Sequence, residues 1–104
     1  MSNTPVYMVV NLAVTDAATY RKYEKGFFPL LKKYGGEFLT FDDQPLTLEG
    51  DAPREDRMII FQFPSEQAAK DWYADPEYQS LSEFRRAGTS LQFLTMVRGM
   101  APRS

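Results

Sequence analysis

The sequence predicts an α+β protein of ferredoxin-like βαββαβ order, with a four-stranded antiparallel sheet, helices on one face and a second copy of the chain against the other. Three observations predict it. Four short apolar runs have strand character, two stretches with helical spacing separate the first run from the second and the third from the fourth, and the strands are apolar on both sides. A length of 104 residues, 43% hydrophobic and 25% charged, is one domain's worth of chain. We expect a single domain over residues 1–104, with its core at 5–99 and a loose C-terminal tail.

The first strand is Val6 to Val14, where Val6, Met8, Val10, Leu12 and Val14 share one side. Thr15-Asp16 then offers an N-cap, and Tyr20, Tyr23, Phe27, Leu31 and Tyr34 follow at steps of three and four, up to a stop at Gly35-Gly36. Gly26 and Pro29 lie inside this helix, so a kink or break near 26–29 is expected. Glu37 to Phe41 is the second strand, interrupted at Asp42-Asp43-Gln44-Pro45 and expected to resume at Leu46 to Glu49 before Gly50. A polar turn through Asp51, Pro53, Arg54 and Glu55 leads to Met58 to Phe63, a β-rich run that should pair antiparallel with the second strand. Ser65 can cap a short helix holding Ala68, Ala69, Trp72 and Tyr73. Asp75-Pro76 restarts it with Asp as N-cap and Pro in the first turn, and Tyr78, Leu81, Phe84 and Arg85 continue the inner face. Gly88 ends that segment. Leu91 to Val97 is the last strand, with Leu91, Phe93, Thr95 and Val97 on one side and Leu94 and Met96 on the other.

A ferredoxin-like monomer would bury one sheet face and wet the other, giving clean alternation. Here Tyr7 and Val9 lie opposite the valines of strand one, Leu39 and Phe41 opposite Phe38, and Met58 and Ile60 opposite Ile59, Phe61 and Phe63. The uncovered face carries on the order of 500 to 1,000 Å² of large apolar side chains, more than monomers usually expose. The sequence therefore predicts a homodimer through sheet faces, a closed barrel of two sheets. An apolar ligand or a different protein on that face is the competing reading, and a ligand pocket at the rim between sheet and helices is compatible with either.

Composition narrows the chemistry. Net charge is −2, which leaves no positive field to gather phosphates, so nucleic acid is not expected as a partner. Arg21, Lys22, Lys25, Lys32 and Lys33 stand against Glu24 on the first helix and read as its solvated face. There is no Cys and no His, so thiolate chemistry, sulfur-ligated metal and the usual proton shuttle are excluded, leaving Asp, Glu, Lys or Tyr as acids and bases. The acids at 42, 43, 51, 55 and 56 match no calcium loop, and no phosphate-binding glycine loop, dinucleotide fingerprint or nucleophile elbow occurs. Neither metal nor cofactor is expected. The apolar run at 6–14 is too short to span a membrane and lacks the basic start of a signal peptide, so a cytoplasmic protein is expected.

Six polar or aromatic positions can carry a site on their own chemistry. Glu49, before Gly50 at a strand end, could take a proton from a carbon acid. Arg85 shares the helical phase of Leu81 and Phe84, and an inward guanidinium needs a carboxylate from substrate or from protein, Glu49 being one candidate. Tyr78 joins Trp72 and Tyr73 as walls for a planar ligand, and Asn11 marks a pocket floor because a buried amide requires partners. We add Tyr23 of the first helix to the ligand-binding candidates. The competing reading makes the aromatics plain core, Glu49 a turn residue and Arg85 a structural ion pair.

Tyr20-x-x-Tyr23, Lys33-Tyr34-Gly35-Gly36-x-Phe38-Leu39, Glu49-Gly50, Phe63-Pro64-Ser65, Ala69-x-x-Trp72-Tyr73, Pro76-Glu77-Tyr78 and Arg85 together resemble the bacterial domain-of-unknown-function 1330 family over residues 5 to 99. The resemblance implies a dimeric α+β barrel. Its superfamily also holds small monooxygenases, haem-degrading enzymes, muconolactone isomerases and polyketide cyclases, and the family itself has no settled activity. Relatives that use histidine for haem or proton transfer have no counterpart in this chain. The expectation is a small-molecule-binding homodimer, with cofactor-free isomerase, cyclase or monooxygenase chemistry in view. The alternative is a noncatalytic interaction or structural protein.

Overall fold

A computed structural model describes residues 4–51 and 56–100. The chain forms β1 (Val6–Val14), α1 (Ala17–Lys33), β2 (Glu37–Asp42), β3 (Arg57–Phe63), α2 (Glu66–Ala74), α3 (Pro76–Gly88) and β4 (Thr89–Arg98). The sheet runs β2-β3-β1-β4 with every neighbouring pair antiparallel, which is the ferredoxin-like arrangement. Pro53, Arg54 and Glu55 of the expected turn, and the tail beyond Met100, lie outside the described residues.

Local chemistry sets the ends of the helices. Asp16 caps α1, its carboxylate accepting from Thr19 N at 3.2 Å, and Gly35, at φ 75, takes the left-handed turn that ends it. Ser65 Oγ accepts from Ala68 N to start α2, and Asp75 Oδ1 accepts from Glu77 N at 2.7 Å to start α3. Among the described residues no helix is long and apolar enough to cross a membrane.

One row of side chains crosses the sheet beneath the helices: Val6 faces Phe63, Met8 faces Phe61, and Val10 faces Ile59, with Met96 and Leu94 alongside on β4. This row, Trp72 and Tyr78 from the α2–α3 pair, and Tyr20, Tyr23, Phe27, Leu30 and Leu31 from α1 make up the core. The other sheet face presents Tyr7, Val9, Met58, Ile60, Phe93 and Val97, with no helix over it among the described residues. At 17 Å the shortest extent of the Cα trace has room for the sheet and a single helical layer.

Four expectations are corrected. Helix α1 is one helix through Pro29 rather than two pieces, because Pro29 and Lys25, whose carbonyl loses its donor, both lie on the exposed face. Residues 46–49 do not resume β2: Asp42 Oδ1 accepts from Gln44 N in a turn, Pro45 follows, and Leu46 and Leu48 stand 81% and 85% exposed. Bulges break the simple alternation twice. One between Phe38 and Thr40 turns Phe41 to the same side as Phe38, and one beside Asn11 and Leu12 puts Leu91 on the helix side with Leu94 and Met96. On α3, Ser82 rather than Phe84 faces inward, for Phe84 sits outside under the Lys22 ammonium.

Candidate functional site

Between α1, α3 and the sheet lies a cavity of about 90 Å³. Its walls are mostly apolar, with Phe27 and Phe61 at the back and Phe28, Phe38 and Phe41 toward the mouth. Phe28 and Phe41 are each about half exposed, 50% and 51%, so the mouth opens to solvent between aromatic edges. Five polar side chains line it: Tyr20, Tyr23, Glu24, Arg57 and Arg85.

Each reaches the cavity for a local reason. Tyr20, Tyr23, Glu24 and Phe27 are successive members of the α1 stripe at steps of three, one and three. Arg85 lies on the turn after Ser82 on α3, where Tyr78, Ser82, Arg85 and Gly88 form the buried face. Ser82 spends its hydroxyl on Tyr78 O at 2.9 Å, so it brings a small side chain and no free donor. Gly88 sets the spacing of α3 against α1: a Cβ there would lie 2.9 Å from Tyr20 N and 3.0 Å from Asp16 O, backbone atoms that cannot move aside. Thr15 N and Asp16 N both donate to Gly88 O, which fixes that seam.

The two arginines differ in how their charge is met. Arg57, at the start of β3, forms a two-point bridge to Asp43, with Nε at 2.6 Å, approaches Glu24 at 3.7 Å and covers the Phe41 ring at 4.7 Å. That bridge holds the Asp43 carboxyl below its usual value. Arg85 is 3% exposed and has neither an ion pair nor a hydrogen bond among the described residues, and its Nε is buried without a partner. Its guanidinium lies 5.8 Å from the centre of the Tyr23 ring.

Tyr23 and Tyr78 share a hydrogen bond of 2.7 Å between their hydroxyls in a fully enclosed setting. Burial raises the Tyr23 pKa well above the ordinary phenol value, the Tyr78 neighbour adds to the rise, and burial raises that of Tyr20 too, so both are protonated donors at neutral pH.

The predicted site residues fall into separate places. Arg85 and Tyr23 come together on the cavity wall, and Tyr78, which does not line it, bonds Tyr23 from the packed side. Trp72 packs in the core on Tyr78, ring centres 4.1 Å apart, with its Nε1 buried and unpartnered. Tyr73 is partly exposed and lines a separate apolar groove along β4, which Arg85 also touches. Asn11 lies on the opposite sheet face, buried, its Nδ2 donating to Arg57 O at 3.1 Å. Glu49 is exposed on the β2–β3 loop and does not line the cavity. Sequence reasoning missed Tyr20, Glu24, Arg57, Phe28 and Ser82. Arg57 was the findable one, since it shares the two-residue phase of Ile59, Phe61 and Phe63 and must point beneath the helices.

The model of a family described as a domain of unknown function, DUF1330, matches residues 5–100. No curated protein matches the chain. Among solved structures the chain is similar to a protein of unknown function from Rhodopseudomonas palustris, at 20% identity over 98% of this chain and 85% of that one, with a TM-score of 0.72. It is similar to SnoaB, described as a cofactor-independent oxygenase, from Streptomyces nogalater, at 15% identity over 97% and 96%, TM-score 0.53. A third is a putative antibiotic biosynthesis monooxygenase from Nitrosomonas europaea, at 12% identity over 96% and 92%, TM-score 0.51. At these identities the likeness is one of fold.

Proposed function

The chain belongs to the DUF1330 family, and from that premise we propose that it works as a homodimer, joined through its open sheet faces, whose helix-side cavity binds a small organic molecule for cofactor-free isomerase, cyclase or monooxygenase chemistry. The observation that carries the reading is the aromatic-walled cavity with the buried Arg85 guanidinium at its inner end. Structural domains seldom leave both an open space and an uncompensated cation in one interior, since each costs stability. The fold is also that of a protein described as a cofactor-independent oxygenase.

In this reading Arg85 and Tyr23 touch the ligand, and Tyr78 positions Tyr23 through their shared hydrogen bond. Glu24 lines the mouth and takes over from Glu49 the role of carboxylate base. The dimer rests on Tyr7, Val9, Met58, Ile60, Phe93 and Val97, an apolar face with no helix above it. One observation favours a noncatalytic reading: Trp72, Tyr78 and Phe63 pack tightly at their own end of the core.

Light scattering at micromolar concentration is expected to give twice the mass of one chain, and Ile60→Glu to return it to one chain with its helical circular dichroism intact. A wild-type mass of one chain would remove the dimer. A fragment screen by NMR is expected to place saturable aromatic binders at Tyr23, Phe27 and Arg85; a screen with no binder there favours the noncatalytic protein.

A further inference from the structure

Resting on the reading of this cavity as a ligand site, we propose that its ligand is an aromatic carboxylate, with the carboxylate at the Arg85 guanidinium and the ring at the mouth against Phe28, Phe38 and Phe41.

Charge comes first. A guanidinium held 3% exposed with no counter-ion among the described residues is an expensive state, and what relieves it is an anion brought in from outside. Arg57 cannot serve, because Asp43 already holds it at two points and Glu24 stands beside it. Arg85 is therefore the unsatisfied cation of the cavity.

Hydrogen-bond accounting gives the same sign. Arg85 Nε is a donor without an acceptor. The Tyr23–Tyr78 pair has two hydroxyl protons and uses one of them between its oxygens, which leaves one phenol proton to give. No buried side-chain acceptor among the described residues is left without a partner. A surplus made only of donors selects a ligand whose buried group only accepts, and a carboxylate does that with two oxygens.

Size then places the ring. A volume of about 90 Å³ is smaller than the roughly 150 Å³ that admits benzene in an engineered apolar cavity. The walled part takes the carboxylate, and the ring has to extend outward, where Phe28 and Phe41 are half exposed and Phe38 lies between them at centroid distances of 5.4 and 6.4 Å. Such edges suit offset or edge-to-face contact with a planar ring.

The test uses the wild-type protein with benzoate and its neutral isostere benzamide, followed by ¹H–¹⁵N NMR of the arginine Nε groups and by fluorescence of Trp72, the only tryptophan. Benzoate is expected to shift the Arg85 Nε–H signal saturably and to bind at least about tenfold more tightly than benzamide, the loss expected for one charge-assisted contact. Arg85→Met should abolish that preference while leaving weak benzamide binding, and Arg85→Lys should keep part of it. Equal affinity for both probes, or unchanged benzoate affinity in Arg85→Met, would overturn the anion assignment and leave the cavity as a ligand site. Failure of both probes to shift any cavity signal would overturn both readings. If Arg85→Met does not fold, the wild-type Nε shift still decides.

Discussion

The two ends of the helix-covered interior are built from the same kinds of residue and finished differently. At one end Trp72, Tyr78 and Phe63 are fully enclosed, with ring centres 4.1 Å apart for Trp72 and Tyr78 and 5.1 Å for Phe63 and Trp72. At the other end Phe28 and Phe41 are half in water around a cavity, and the polar groups there are a buried arginine and protonated phenols. Phe27 and Phe61 stand at the boundary, touching both Trp72 and the cavity. Aromatic content alone therefore does not separate core from site. What separates them is whether the space beside the rings is filled and whether a buried charge stands there without a counter-ion, since Trp72 Nε1 at the filled end also has no partner.

The largest expected effect would break that contrast outright. Trp72→Ala removes a side chain with no exposure and should cost about 3 to 5 kcal/mol, whereas Phe41→Ala removes a half-exposed ring and should cost under about 1 kcal/mol. Urea unfolding at neutral pH measures both. Similar midpoints for the two variants would mean that the open end is as tightly committed to folding as the filled one.

Much of this architecture was legible in the residues. The order of strands and helices, the Asp16, Ser65 and Asp75 caps, and the two-sided apolarity of β1 and β3 follow from spacing and capping chemistry. The bulges on β2 and β4 were not, because one extra residue reverses the facing of Phe41 and Leu91 and leaves no compositional mark. Of the site, Arg85, Tyr23 and Tyr78 were legible as inward polar groups. Their meeting was not, since 55 residues separate Tyr23 from Tyr78 and only the antiparallel packing of α1 on α3 joins them. Glu49 drew attention by its place before a glycine, yet that loop carries it into solvent.

A smaller effect sharpens the boundary between the two ends. Tyr23 lines the cavity while Tyr78 packs on Trp72, and their hydroxyl bond is the polar link across. Tyr23→Phe and Tyr78→Phe should each destabilise by about 1 kcal/mol, and the double variant by less than their sum, because either single change already breaks the bond. Strict additivity in a double-mutant cycle would mean that the hydroxyls act independently. If the cavity takes a ligand donor from this pair, Tyr23→Phe should also weaken benzoate more than benzamide.

The smallest effect concerns pH, and it tests whether the most strongly held carboxyls carry the acid limb of the stability profile. Asp75 accepts from Tyr34 Oη and Glu77 N and pairs with Lys33, which holds its carboxyl at about 2 rather than the ordinary 3.8; Glu66, bonded to Arg98 and Lys70, is held at about 2 rather than 4.5. A carboxyl depressed by folding contributes stability that is complete above its unfolded value and is lost as pH falls through the folded one, so the decline runs from about pH 4.5 down to about 2. The interior tyrosines act at the other extreme: their raised values mean that the unfolded chain ionises first, and stability falls as pH rises above about 10. The largest share of the acid limb thus falls to Asp75 and Glu66, while the alkaline limb is shared between the interior tyrosines and the Asp75 cluster, where the carboxylate raises Tyr34 and Lys33. The combined Asp75→Asn and Glu66→Gln variant should flatten the acid limb and also weaken the alkaline limb in part, because Tyr34 and Lys33 lose the carboxylate that raises them, with the Glu66 share shrinking in added salt because Arg98 and Lys70 are exposed. An acid limb as steep as the wild type's in that variant would assign acid sensitivity elsewhere, with Asp43 bridged by Arg57 and Asp16 at the α1 cap the next carboxyls to change.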